Sequence, residues 1–211
     1  FGLLTTKEPD GTLVSKLILL KKLDREQKDK YFLILTACDP DNSDTVNIVV
    51  QVQDSNDNKP RFERDSYEVD IPENSPPGTH VLQVKATDAD LGINAKVRYG
   101  LTAQSHLMYG HIFKMDRESG ILYVVGLVDR ETSPVYQLGV TAEDMGCPSR
   151  TTRKQLIVNL SDDNDNSPKF NKSTYAIRIV ENTPAPTKVL LHVTATDLDD
   201  GANGDVRYRI D

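Results

Sequence analysis

The stretch "DSNDNKP", Asp54 to Pro60, decides how this chain is organised, because it returns as "DDNDNSP" from Asp162 to Pro168. Other segments return around it in the same order. "RFERDSYEVDIPENSPPG" from Arg61 matches "KFNKSTYAIRIVENTPAP" from Lys169, and "VKATDADLGINAKVRYGL" from Val84 matches "VTATDLDDGANGDVRYRI" from Val193. "KKLDREQKDKYFLILTACD" from Lys21 matches "VGLVDRETSPVYQLGVTAED" from Val125. The offsets are 105 for Asp24 to Asp129, 108 for Asp54 to Asp162 and for Glu73 to Glu181, and 109 for Asp88 to Asp197. A repeat of about 108 residues is a domain, not a solenoid turn. The sequence therefore divides into the closing part of one unit (1–59), one whole unit (60–168) and the opening part of a third (169–211). The opening "FGLLTTKEPDG" reads as the middle of a domain, so a piece of a longer chain is expected.

Within the whole unit the apolar residues alternate. "VYQLGVTA" puts Tyr136, Leu138, Val140 and Ala142 on one face, and "QLIVNLS" does the same with Leu156, Val158 and Leu160. Such period-2 runs, broken by Gly, Pro, Asn and Asp, are strands. They fall near 67–71, 81–87, 97–101, 112–114, 120–125, 135–142 and 153–160, with no helical period of useful length. Seven strands in about 100 residues predict an all-β fold, a sandwich of two sheets.

Composition narrows the function. The 32 acids outnumber 25 bases for a net charge of −7, which argues against nucleic acid as a partner. No apolar run approaches the ~20 residues of a membrane span. The two cysteines, Cys38 and Cys147, are too few for a disulfide framework and are expected as free thiols in separate domains. Four histidines show no zinc-type spacing. There is no nucleophile elbow, HExxH or phosphate loop, and the paired acids lie in duplicated clusters rather than one cleft. An enzyme and a small-molecule substrate are not expected.

The acids gather at strand ends and loops. About seven carboxylates close together repel one another unless cations or protons intervene. Calcium suits such a set, since it takes six to eight oxygens from carboxylates, Asn and backbone carbonyls. An EF-hand is excluded, because "DSNDNKP" has Lys at the sixth position and "DADLGINAKVRY" lacks the final Glu. The oxygens must converge from distant parts of the sequence.

Together these residues resemble extracellular cadherin repeats over essentially the whole chain. The motifs are "PEN" at Pro72–Asn74 with "VEN" at Val180–Asn182, "DAD" at Asp88–Asp90 with "DLD" at Asp197–Asp199, "DRE" at Asp24–Glu26 and Asp129–Glu131, and both "DxNDNxP" linkers. "KLILLKKLDRE" and "LILTACD" resemble non-classical members, protocadherin-like or Fat- and Dachsous-like. The resemblance implies tandem Greek-key sandwiches of immunoglobulin-like architecture, set end to end, with three Ca2+ ions at each interdomain junction. Carried onto this chain, the first junction uses Asp24, Glu26, Asp54, Asp57, Asn58, Asp88, Asp90 and Asp144, with backbone carbonyls of Ser55, Asn56 and Asn94. The second uses Glu73, Asp129, Glu131, Asp162, Asp165, Asn166, Asp197 and Asp199, with carbonyls of Asp163, Asn164 and Asn203. The "DRE" at Asp116–Glu118 lies in a hairpin and is not counted.

The implied function is calcium-dependent cell–cell adhesion or recognition, calcium rigidifying the junctions. The alternative is a non-adhesive spacer in a long ectodomain. The implied partner is another cadherin ectodomain, homophilic or heterophilic, and the place is extracellular, on a plasma-membrane protein whose anchor lies outside this sequence. Asn159 and Asn171 head N-glycosylation triplets. Arg25 and Arg130 are expected to turn away from the ions, since an arginine cannot be a ligand. His106 and His111 are expected in a loop and at a strand start.

Overall fold

The computed structural model describes residues 1–182 and 189–211, so the last four residues of the repeat match ending at Pro186 lie outside the described residues. The chain forms two compact units: Phe1–Lys59 with Asp88–Lys96 and Asp144–Arg150, and Pro60–Thr87 with Val97–Glu143 and Thr151–Asp211.

The first unit holds two antiparallel hairpins. β1 (Gly2–Lys7) pairs with β2 (Leu13–Ile18), and β3 (Lys30–Cys38) pairs with β4 (Ser43–Gln51). The β1–β2 turn needs Gly11, whose φ of 89° is left-handed backbone open to glycine. Asp39 closes the β3–β4 turn by accepting from the Asp41 and Asn42 amides at 2.8 and 2.6 Å. In β3, Tyr31, Leu33 and Leu35 are half-buried, while Phe32 and Ile34 on the other face are exposed.

The second unit contains every buried hydrophobic side chain among the described residues. Its strands are β5 (Arg61–Phe62), β6 (Tyr67–Pro72), β7 (His80–Gln83), β8 (Ala86–Thr87), β9 (Arg98–Leu101), β10 (Phe113–Met115), β11 (Ile121–Val124), β12 (Val135–Glu143), β13 (Thr151–Ser161), β14 (Lys169–Phe170) and β15 (Ala195–Thr196). One sheet runs β6-β13-β12-β9, with β6 and β13 parallel and the other pairs antiparallel; the second runs β10-β11-β7. One core draws on both sheets. Tyr136, Leu138, Val140 and Ala142 from β12 and Leu156, Val158 and Leu160 from β13 meet Phe113, Leu122, Val124 and Val81. The alternation read from the sequence is thus the inward face of a seven-stranded sandwich. Truncating one of these side chains, such as Leu138, to Ala costs about 2–5 kcal/mol.

Two details differ from the sequence reading. The expected 81–87 strand is split into β7 and β8, with Val84 buried between them. A helix, α1 (Ala103–Tyr109), occupies a stretch expected to hold none, and His106 lies on it rather than in a loop. Tertiary contacts hold this helix. Thr102 caps it by accepting from the Ser105 amide, and the buried Ser105 hydroxyl accepts from Gly139 N at 2.7 Å. A Cβ at Gly139 would stand 2.8 Å from the Thr102 side chain, so the close approach requires glycine. The two repeats also share an internal device. Tyr99 and Tyr208 each accept from a strand amide through the hydroxyl, from Ala86 N at 2.9 Å and Ala195 N at 2.8 Å.

Candidate metal centres

The first acidic cluster lies wholly in the first unit. Asp54 Oδ2 accepts from Leu91 N at 3.0 Å and from Asn94 Nδ2 at 2.9 Å. Asn58 Nδ2 joins Asp90 Oδ1 at 2.7 Å to Asp57 Oδ1 at 3.0 Å. Asp144 Oδ1 accepts from Asn56 Nδ2, Gly146 N and Arg150 N at 3.2, 3.0 and 3.1 Å. Asp24 caps the turn after it through the Gln27 amide at 3.2 Å. Glu26, Asp54 and Asp90 bring one carboxylate oxygen each to within 4.8 Å of one another.

The second cluster repeats this arrangement within the second unit. Asp162 Oδ1 accepts from Asp200 N and Oδ2 from Asn203 Nδ2, both at 2.9 Å. Asn166 Nδ2 joins Asp199 Oδ1 at 2.9 Å to Asp165 Oδ1 at 2.8 Å. The buried Glu73 accepts from two backbone amides, Arg130 N at 2.9 Å and Asp163 N at 2.6 Å. Asn74 follows it with φ of 56°, the left-handed conformation that Asn tolerates, and its Nδ2 donates to Asp165 Oδ2 at 2.6 Å. Two triads form here, Glu73–Glu131–Asp165 and Glu131–Asp162–Asp199, again with oxygens within 4.8 Å.

The proton affinities follow from these contacts. Burial pushes the Asp88 carboxyl up, with the charges of Asp90 and Asp144 adding to the rise. Burial also works to raise Asp54, but donors from Leu91, Asn94 and Arg25 outweigh it and hold the group below its usual value. The Thr132 hydroxyl leads in lowering Asp129. Glu131 is pushed up to about 7, first by desolvation and then by the Asp129 contact and the charges of Glu73 and Asp165.

A divalent cation fits these donors. Asp88 Oδ2 and Asp144 Oδ2 are buried and have no hydrogen-bond donor. A buried acceptor without a partner costs about 1–3 kcal/mol, more when charged, which a cation would remove. The all-oxygen donor set suits calcium or magnesium rather than zinc.

Of the residues expected from the sequence, Glu26, Asp54 and Asp90 meet in one triad, and Glu73, Glu131, Asp162, Asp165 and Asp199 meet in the other two. Asp24, Asp57, Asp88, Asp144, Asp129 and Asp197 lie outside those triads, in the same loops. The Ser55 and Asp163 carbonyls accept from Asp57 N and Asp165 N at 2.7 and 2.8 Å, the Asn56 carbonyl accepts from Arg150 Nε at 2.9 Å, and Asn164 is exposed. Asn58 and Asn166 turn the amide nitrogen, not the oxygen, to the acids, so service as side-chain ligands requires a rotated amide. The arginines differ most from expectation. Arg25 turns inward: Nε stands 2.5 Å from Asp54 Oδ1, and NH2 contacts Glu26 Oε1 and donates to Ala89 O at 2.8 Å. Arg130 reaches Asp162 at 3.4 Å and Asp200 at 2.5 Å. The surplus acid at position 200, where the preceding repeat has Leu91, marks this difference in the sequence.

The fold is that of an all-β protein of tandem sandwich repeats, with duplicated clusters of carboxylates. The cadherin-domain model matches residues 67–161. Protocadherin gamma-B6 of Homo sapiens is 40% identical over 216 residues, spanning 100% of this chain and 23% of that protein. Protocadherin-17 of Homo sapiens is 38% identical over 213 residues, spanning 100% of this chain and 18% of that protein. Among solved structures, Protocadherin Gamma B7 extracellular cadherin domains 1–4 matches with a TM-score of 0.87 at 35% identity, covering 97% of this chain and 49% of that one. Mouse Cadherin-23 EC22–24 matches with a TM-score of 0.77 at 27% identity, covering 92% of this chain and 60% of that one. Residues 67–161 are a cadherin domain, and the chain's repeats are protocadherin-like cadherin repeats. It spans less than a quarter of the length of these curated relatives.

Proposed function

We propose that this chain is a calcium-binding stretch of a cadherin-type extracellular region that serves cell–cell adhesion or recognition. Its domains are 1–59, 60–168 and 169–211, and its partner is another cadherin ectodomain. The observation that carries the reading is the duplicated geometry: Asp54–Asn94 and Asp162–Asn203 on one side, Asp90–Asn58–Asp57 and Asp199–Asn166–Asp165 on the other. A solvated acidic turn has no reason to repeat such contacts after about 108 residues.

The ligands would be the acids of each cluster, joined by backbone carbonyls of the linker turns. Calcium supplies positive charge that the carboxylates share. The chain's own residues do the rest: the asparagine amides hold the carboxylates in place, and the left-handed turn at Asn74 aims Glu73 inward. Because each cluster joins segments far apart in sequence, 24–26 with 54–58, 88–94 and 144 in the first, cation binding stiffens the linker turns and stabilises the fold by linkage. Extracellular calcium sites bind at about 10⁻⁴–10⁻³ M, which suits millimolar calcium outside cells. Among the described residues, no helix is long and apolar enough to cross a membrane.

The test is bead aggregation. Beads coated with the full extracellular protein should cluster in millimolar calcium and disperse on chelation, and the doubly substituted Asp90→Ala, Asp199→Ala protein should fail to cluster. Clustering indifferent to both chelation and substitution would refute the calcium-dependent reading.

A further inference from the structure

The first cluster already contains a fixed cation. The Arg25 guanidinium is nearly buried, with 11% of its side chain exposed, and it touches two of the three carboxylates of the Glu26–Asp54–Asp90 triad. A third contact, to the Ala89 carbonyl at 2.8 Å, fixes its orientation. An arginine cannot shed its proton in a protein, so this charge leaves only by rotation of the side chain. The homologous Arg130 is placed otherwise. It contacts Asp162 at 3.4 Å and spends its shorter contact on Asp200, an acid outside the triads whose side chain is 65% exposed. Leu91 at the equivalent place in the first cluster offers no such second anchor.

We propose that Arg25 is an affinity-setting residue: its guanidinium occupies Glu26 and Asp54 in the calcium-free chain, and calcium must displace it from them. The second cluster escapes most of this competition, because Asp200 holds Arg130 aside. This inference rests on the calcium reading above. Its physics is that one carboxylate oxygen cannot serve a guanidinium at ion-pair distance and a divalent cation together. A positive charge left beside the site also repels the incoming ion. The consequence is a chain whose two clusters fill at different calcium concentrations, the first later than the second.

The test is calorimetric titration of calcium into the full protein with the second cluster disabled by Asp165→Ala and Asp199→Ala. In that background Arg25→Gln should tighten calcium binding about three- to tenfold, the range expected for removing a charge-assisted contact. It should also lower the melting temperature in chelator while leaving the calcium-loaded value nearly unchanged. Arg25→Lys, which keeps the charge and loses the fork, should bind closer to the parent. With the first cluster disabled instead by Asp54→Ala and Asp90→Ala, Arg130→Gln should change the affinity by less than about twofold. Equal or weaker calcium binding in Arg25→Gln would overturn the proposal while leaving the calcium reading intact. No calcium binding in the unsubstituted protein would overturn both.

Discussion

The two acidic clusters share most of their residues in the same order, but Asp144 belongs only to the first and Glu73 only to the second, and they offset their charge differently. In the first, a guanidinium lies against Glu26 and Asp54. In the second, Arg130 is drawn to Asp200, and Glu131 is left facing Glu73 and Asp165, with its carboxyl raised to about 7. One cluster has an arginine against its acids, while the other holds a carboxyl whose proton affinity is raised. Among the differences between the two is Leu91 in the first against Asp200 in the second.

The largest effect that would sharpen this comparison comes from removing a ligand on one side only. Asp199→Ala should weaken calcium binding at the second cluster by about 100-fold or more, at least matching the upper end of outer-shell losses. The first cluster should titrate as before. A parallel loss at the first cluster would break the picture of two separate sites, each within its own unit. Next comes Asn74→Ala, which should destabilise the calcium-free second unit by about 1–2 kcal/mol, the cost of left-handed backbone for a residue with a Cβ. Denaturant melts measure it, and an unchanged midpoint would mean that the turn is not held by Asn74.

The pH response should separate the clusters next. Glu131 binds its proton more tightly folded than unfolded, rising from 4.5 to about 7. Its contribution to stability is therefore full below about pH 4.5 and is lost as the pH climbs through about 7. Asp129, whose value is lowered, stays ionised across that interval and adds no slope there. The calcium-free chain should melt at a lower temperature at pH 8 than at pH 5.5, and Glu131→Gln should flatten that difference. A slope that survives Glu131→Gln would place the titrating group elsewhere. The smallest expected effect is that of Asp200→Leu, which gives the second cluster the first cluster's residue. Arg130, released, should settle on the ligand acids and weaken calcium binding roughly two- to fivefold. Unchanged affinity would show that Asp200 does not hold Arg130 aside.

The strands were legible because alternation in β12 and β13 is a direct imprint of two faces, one dry and one wet. Tyr136, Leu138, Val140 and Ala142 are all buried, as their spacing requires. The acids were legible as candidate ligands because they recur in the same order. α1 left no such mark. Its seven residues are too few for a periodic stripe, and its stability comes from Thr102, Ser105 and the bare backbone at Gly139. The inward turn of Arg25 was hidden for a different reason. The rule that arginine does not ligate a metal says nothing about which acids the side chain meets. Electrostatics draws it to Glu26 and Asp54.

Whether both clusters bind calcium is decided by a calorimetric titration of calcium into the full protein beside its Asp90→Ala, Asp199→Ala counterpart, with thermal melts on both. Binding should saturate at about 10⁻⁴–10⁻³ M, with a higher melting temperature in calcium and both signals lost on double substitution. Absence of heat and an unmoved melting temperature up to about 5 mM calcium, well above that affinity range, would contradict it.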